Sequence, residues 1–98
     1  MPRLSPITLA QLQPLLAELQ QIPGLKQIKP AIFYWLRMPM LHFHETEQGV
    51  VADLKRIVPV PSGFDRLETS SAAARKKLIK EVATRCTLLA ARTTAKRS

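Results

Sequence analysis

The sequence predicts a single α+β domain in which an N-terminal helix and a long C-terminal helix flank an antiparallel meander of three to four strands. Three observations carry this expectation. Apolar residues repeat at helical spacing near both ends but with a period of two between residues 32 and 54. The 98 residues are 46% apolar, an ordinary share for a globular chain and enough for one core but not two. Proline, glycine and polar residues gather where the period changes, around positions 23–24, 45–49 and 59–63.

The first helix is signalled by Thr8 with Gln11 three residues on, a capping-box pattern, and Ser5 with Pro6 offers an earlier start. Leu9, Leu12, Leu15 or Leu16, Leu19 and Ile22 form one apolar stripe, with Gln11, Gln13, Gln20 and Gln21 outside it. Pro14 lies within the run. Its missing N–H and its ring predict either a kink or a true start at that point. Pro23 and Gly24 end the helix.

Ile32, Tyr34 and Leu36 then alternate with Phe33, Trp35 and Arg37 until Met38 and Pro39 break the pattern. Leu41 and Phe43 alternate with His42 and His44, residues 45–49 turn the chain, and Ala52 and Leu54 alternate with Val51 and Asp53. Residues 56–66 contain Pro59, Pro61 and Gly63 and read as a loop, and residues 64–68 could add a short fourth strand at the edge. Ser70 or Ser71 caps a helix running to about Arg92, whose buried stripe is Leu78, Ile79, Val82, Cys86 and Leu89. Residues 93–98 lack apolar side chains and read as a disordered basic tail, so the expected domain spans residues 1–92.

Charge is unevenly placed. Up to Ser71 seven Lys or Arg face six Asp or Glu, whereas beyond it eight basic residues face Glu81 alone. Arg75, Lys76, Lys77, Lys80 and Arg85 would make a basic patch on the last helix. Such a patch attracts an acidic protein, nucleic acid or an anionic surface, although a helix kept basic for solubility looks the same. No apolar run approaches the ~20 residues that span a bilayer, and the first residues lack a signal-peptide core. A single cysteine, Cys86, cannot staple the chain to itself. Both points fit a cytoplasmic protein, with Cys86 as a core thiol.

The strand pattern allows a register to be derived. A turn at residues 46–49 sets His42 opposite Asp53, His44 opposite Val51, Phe43 opposite Ala52 and Leu41 opposite Leu54, giving one consistent apolar face. A turn at Met38 and Pro39 would then set Trp35 against His42 and Phe33 against His44. The second face would display Phe33, Trp35, Arg37, His42, His44 and Asp53 together, with Val51 and Lys55 beside them.

Three readings of that face compete. His42 and His44 project the same way, and with Asp53 they could ligate a divalent metal such as zinc, iron or manganese. Alternatively, Phe33, Trp35 and Arg37 could anchor a protein partner, or the aromatics could stack single-stranded RNA while the basic helix meets phosphates. In the third, a helix covers the face and Asp53 only fixes the His42 tautomer. Three glycines form no phosphate loop, no Ser, His and Asp spacing suggests a triad, and Glu45 and Glu47 flank a turn rather than a cleft.

The stretch Leu41, His42, Phe43, His44, Glu45, with Gly49, Ala52, Asp53 and Leu54, resembles small bacterial proteins with a luciferase-like domain of unknown function. The likeness continues through Gly63, Phe64, Asp65, Arg66 and Leu67 to Ser70 and Ser71, covering about residues 31–90. It implies a helix, an antiparallel sheet and a closing helix, and it carries His42, His44 and Asp53 over as a candidate site. It does not imply light-emitting catalysis. The proline-rich residues 57–62 and the basic end depart from the pattern.

The sequence therefore favours a noncatalytic interaction or assembly module that needs no cofactor. It would dock an acidic macromolecule, protein before RNA, through the sheet face and the basic helix. The alternative is a metal-dependent hydrolase or oxygenase using His42, His44 and Asp53.

Overall fold

The computed structural model describes residues 4–47, 49–57 and 62–97, so the proline-rich loop at Pro59 and Pro61 lies outside the described residues. Seven elements follow in order: α1 (Pro6–Leu19), β1 (Leu25–Lys29), β2 (Ile32–Trp35), β3 (Met38–Thr46), β4 (Gly49–Lys55), β5 (Phe64–Glu68) and α2 (Ala72–Arg97). The strands form one antiparallel sheet in the order β1-β2-β3-β4-β5, a meander in which every strand pairs with its neighbour in the chain.

Helix α1 takes the earlier of its two expected starts. The Ser5 hydroxyl accepts the Thr8 amide at 3.2 Å, and Pro6 occupies the first turn, where its missing N–H costs nothing. The helix runs through Pro14. Pro14 and Ala10 are both exposed, so the carbonyl that the proline leaves unpaired faces water, while Leu12, Leu15, Leu16 and Leu19 are buried on the inner side.

Strands β3 and β4 pair as their alternation predicts: Leu41 with Leu54, His42 with Asp53, Phe43 with Ala52 and His44 with Val51. Leu41, Phe43, Ala52 and Leu54 are buried and share one core with the α1 leucines and with Leu78, Val82 and Cys86 of α2. Both helices therefore cover the same side of the sheet. Among the described residues no helix covers the opposite side, and this two-layer arrangement positions the candidate site.

The β2–β3 pairing differs from the expected one. The turn falls at Leu36 and Arg37, so Trp35 pairs with Met38, Tyr34 with Pro39, Phe33 with Leu41 and Ile32 with His42, with a register shift that leaves Met40 as an extra buried residue. Relative to the expected register the partners of Ile32 and Phe33 are displaced by three residues, an odd number that turns these side chains over, and Tyr34 and Trp35 follow by the alternation of the strand, the extra residue in β3 taking up the difference. Phe33 is fully buried and Trp35 packs against the core. Gly24, at φ 86°, lies so close to the Trp35 ring that a Cβ there would overlap it.

Strand β1 is a further addition to the expected sheet. Only Leu25 of its five residues is buried, so the strand lacks the alternating apolar signal. Its lysines suit an exposed edge. Helix α2 continues to Arg97, past the end near Arg92 that the loss of apolar residues suggests. Cys86 is buried as expected, and burial pushes its thiol pKa up to about 11.

Candidate functional site on the open sheet face

Because directly opposed residues share a side, Ile32, His42, Asp53 and Arg66 form a row across β2, β3, β4 and β5 on the open face. His44, Val51 and Glu68 form the next row. Tyr34, Lys55 and Phe64 lie on the same side.

The centre of the face is a polar cluster around Asp53. His44 Nε2 stands 2.8 Å from Asp53 Oδ2, and His42 Nε2 stands 3.3 Å from the same oxygen. Arg66 approaches from β5: its Nε donates to Oδ1 at 3.1 Å and its Nη2 reaches Oδ2 at 3.4 Å. The same Nη2 is 3.3 Å from His44 Nε2. The two imidazoles stack with centroids 5.4 Å apart, and the Phe64 ring meets His42 edge-on at 5.9 Å. Lys55 Nζ lies 5.5 Å above the Phe64 ring.

Partial burial pushes the Asp53 pKa up, but hydrogen bonds from Arg66 and His44, with the attraction of their charges, outweigh it. The carboxyl is held below its ordinary value and is ionised at neutral pH. The cluster is thus a fixed carboxylate ringed by donors. Chemically it can offer two imidazole nitrogens and one carboxylate oxygen to a cation, or an Arg and two imidazoles to an anionic group.

Of the six residues expected on the binding face, the structure brings His42, His44 and Asp53 together. Phe33 and Trp35 are not part of the face, because the displaced β2 register points them into the core. Arg37 is exposed in the β2–β3 turn, beyond the end of β3 and away from His42 at the centre of the face. In their place the face carries Ile32, Tyr34, Phe64 and Arg66. Arg66 was recoverable in principle: the alternation over residues 64–68 puts Phe64, Arg66 and Glu68 on one side, and an Arg opposite Asp53 is a favourable cross-strand pair.

The basic patch divides in two. Lys76, Lys77 and Lys80 are exposed on α2. Arg75 and Arg85 instead serve the fold. Arg75 Nε donates to the Thr69 carbonyl at 2.9 Å, and Arg85 pairs with Asp65 at 2.9 Å while Nη1 donates to the Lys55 carbonyl at 2.9 Å. Asp65 is also gripped by Arg56, and its carboxyl is held low chiefly by that bond. Arg85 is therefore an anchor of α2 on the sheet.

Two recesses border the cluster. An open groove of about 800 Å³ runs from Leu4 and Leu9, at the start of α1, past Ile32 and Tyr34 to His42 and His44. A smaller one of about 330 Å³ lies between β5 and α2, lined by Arg66, Leu67, Glu68, Ala74 and Lys77. It places Lys77 of α2 beside Arg66 of the open face. Among the described residues no helix is long and apolar enough to cross a membrane. In comparisons with protein-family models, curated proteins and solved structures, the chain matches none.

Proposed function

We propose that this protein is a noncatalytic interaction module that docks an acidic segment of a partner protein, in the cytoplasm, on the open face of its sheet. The observation that carries the reading is a sheet face that neither helix covers among the described residues. Both helices pack on the other side, yet the open side holds Ile32, Tyr34, Val51 and Phe64, with Phe64 41% exposed. A face meant only for water would not place these side chains around a buried-edge carboxylate cluster.

Charge favours an acidic occupant. Lys26, Lys29, Lys55 and Arg66 lie on this side against Asp53 and Glu68. The groove beside His42 accepts an apolar side chain of the segment, Arg66 meets a carboxylate, and Lys76, Lys77 and Lys80 steer the approach past the β5 edge. Protein is preferred to RNA because the indole and phenyl rings best suited to base stacking, Trp35 and Phe33, belong to the core, and Phe64 is already engaged by His42 and Lys55.

The test is fluorescence anisotropy with two labelled probes in EDTA: a twelve-residue peptide alternating Asp or Glu with Phe and Leu, and a twelve-nucleotide single-stranded RNA. The peptide is expected to bind more tightly, with Arg66→Glu weakening it at least tenfold. Tighter RNA binding, or a peptide affinity indifferent to Arg66→Glu, contradicts the reading.

A further inference from the structure

We propose that His42, His44 and Asp53 bind one divalent transition-metal ion, with zinc as the best-suited common ion. The inference concerns the same face as the docking reading but does not rest on it. It follows from how the donor atoms converge.

Both imidazole Nε2 atoms address one carboxylate oxygen, Asp53 Oδ2, at 3.3 and 2.8 Å, and the three donor atoms all lie within 4.8 Å of one another. In a tetrahedral zinc site with bonds of roughly 2.0–2.1 Å, adjacent donors stand about 3.3 Å apart. The His42–Asp53 separation already matches that spacing, the His44–Asp53 pair would open by about half an ångström, and the two imidazole nitrogens, within 4.8 Å of each other, are near enough to share one ion. Two neutral imidazoles and one carboxylate are a donor set suited to zinc, iron or manganese.

The frame beneath the donors is rigid. They stand on β3 and β4, inner strands of a five-stranded sheet, whose register is locked by Leu41 against Leu54 and Phe43 against Ala52 on the buried side. Ligands held on packed strands are placed more accurately than ligands on loops.

Arg66 divides the carboxylate usefully. Its Nε holds Oδ1 at 3.1 Å while its Nη2 makes only a long contact of 3.4 Å to Oδ2, the oxygen that both histidines address, and an outer hydrogen bond of this kind orients a ligating carboxylate. Without an ion, His44 Nε2 faces two demands at once: it can donate to Asp53 or accept from Arg66 Nη2, and one nitrogen cannot do both. An ion resolves that conflict by taking the lone pairs of both imidazoles together with Oδ2. Arg66 Nη2 then turns outward, which its 58% exposed side chain permits. The fourth position faces solvent, open to water or to a carboxylate.

The experiment is zinc titration of tag-free protein by calorimetry and by competition with a chromophoric chelator, followed by cobalt substitution. His42 and His44 are the only histidines of the chain, so nitrogen ligation reports on them alone. One zinc per chain is expected, weakened at least 100-fold by His42→Gln, His44→Gln or Asp53→Asn and unchanged by Lys76→Ala. The cobalt form is expected to show visible tetrahedral absorption, and histidine side-chain NMR to report zinc at Nε2 of both rings. Each variant is first checked for native circular dichroism, and glutamine keeps the strand side chain where alanine disturbs the fold. No zinc bound at 100 μM, affinity indifferent to either histidine, or ligation through Nδ1 overturns the proposal. No partner is present in this assay and EDTA is present in the docking assay, so the two readings fail separately.

Discussion

At the scale of single residues, similar charges have dissimilar work. Arg85 bridges α2 to Asp65 and to the sheet carbonyls, with a side chain 16% exposed, whereas Lys77 stands in solvent. Arg85→Ala is expected to cost about 2 kcal/mol in urea unfolding, since it strips charged hydrogen bonds from a half-buried site, and Lys77→Ala to change stability by less than about 0.5 kcal/mol. Asp53 adds a pH signature. Folding lowers its pKa, so its contribution to stability is fully present above the unfolded value of about 3.9 and is lost as pH falls through the folded value. The stability gap between the wild type and Asp53→Asn should therefore shrink below about pH 4, as read from urea midpoints at several pH values. Composition could show that the C-terminal helix is basic. It could not show which guanidinium bends back onto the sheet, because that depends on Asp65 from β5 and on the Leu54 and Lys55 carbonyls from β4.

At the scale of elements, β2 decides what the open face contains. Phe33→Ala is expected to cost about 3 to 5 kcal/mol and Tyr34→Ala no more than about 1 kcal/mol in the same assay, the ordering required if Phe33 points to the core. The turn offers a second check. Leu36 adopts φ 55°, a left-handed conformation costly for a side chain with a Cβ, and it is 70% exposed. Leu36→Gly should raise stability by about 0.5–1 kcal/mol. These details explain what could be read from the sequence. The β3–β4 hairpin was legible because Leu41 and Phe43 alternate with His42 and His44, and Ala52 and Leu54 flank Asp53, so pairing Leu41 with Leu54 and Phe43 with Ala52 gives one consistent apolar face. In β2 the run Ile32, Phe33, Tyr34, Trp35 is apolar throughout and says nothing about which side faces in. Its turn residues, Leu36 and Arg37, lack the glycine or asparagine that would mark the reversal. Strand β1 was hidden because a lysine-rich edge needs only Leu25 to hold it. Arg66 stayed hidden because its role exists only once β5 is paired with β4.

At the scale of the whole molecule, the two-layer arrangement separates duties. One side of the sheet builds the core with both helices, and the other carries the Asp53 cluster with Ile32, Tyr34, Val51 and Phe64. The β5 edge connects that open side to the exposed α2 lysines through Arg66 and Lys77. Steering and selection should then separate kinetically. Charge reversal at Lys76, Lys77 and Lys80 is expected to slow association with the acidic peptide several-fold at low salt and to leave dissociation nearly unchanged, whereas Arg66→Glu should chiefly speed dissociation, both read by stopped-flow fluorescence. The most direct test of the central claim is residue-resolved NMR of the labelled protein titrated with that peptide in EDTA. Saturating shifts are expected at Ile32, Tyr34, Val51, Phe64 and Arg66. Shifts confined to the α2 lysines, or spread over the outer surface of α1 while Tyr34 and Phe64 stay unmoved, would contradict docking on the open face.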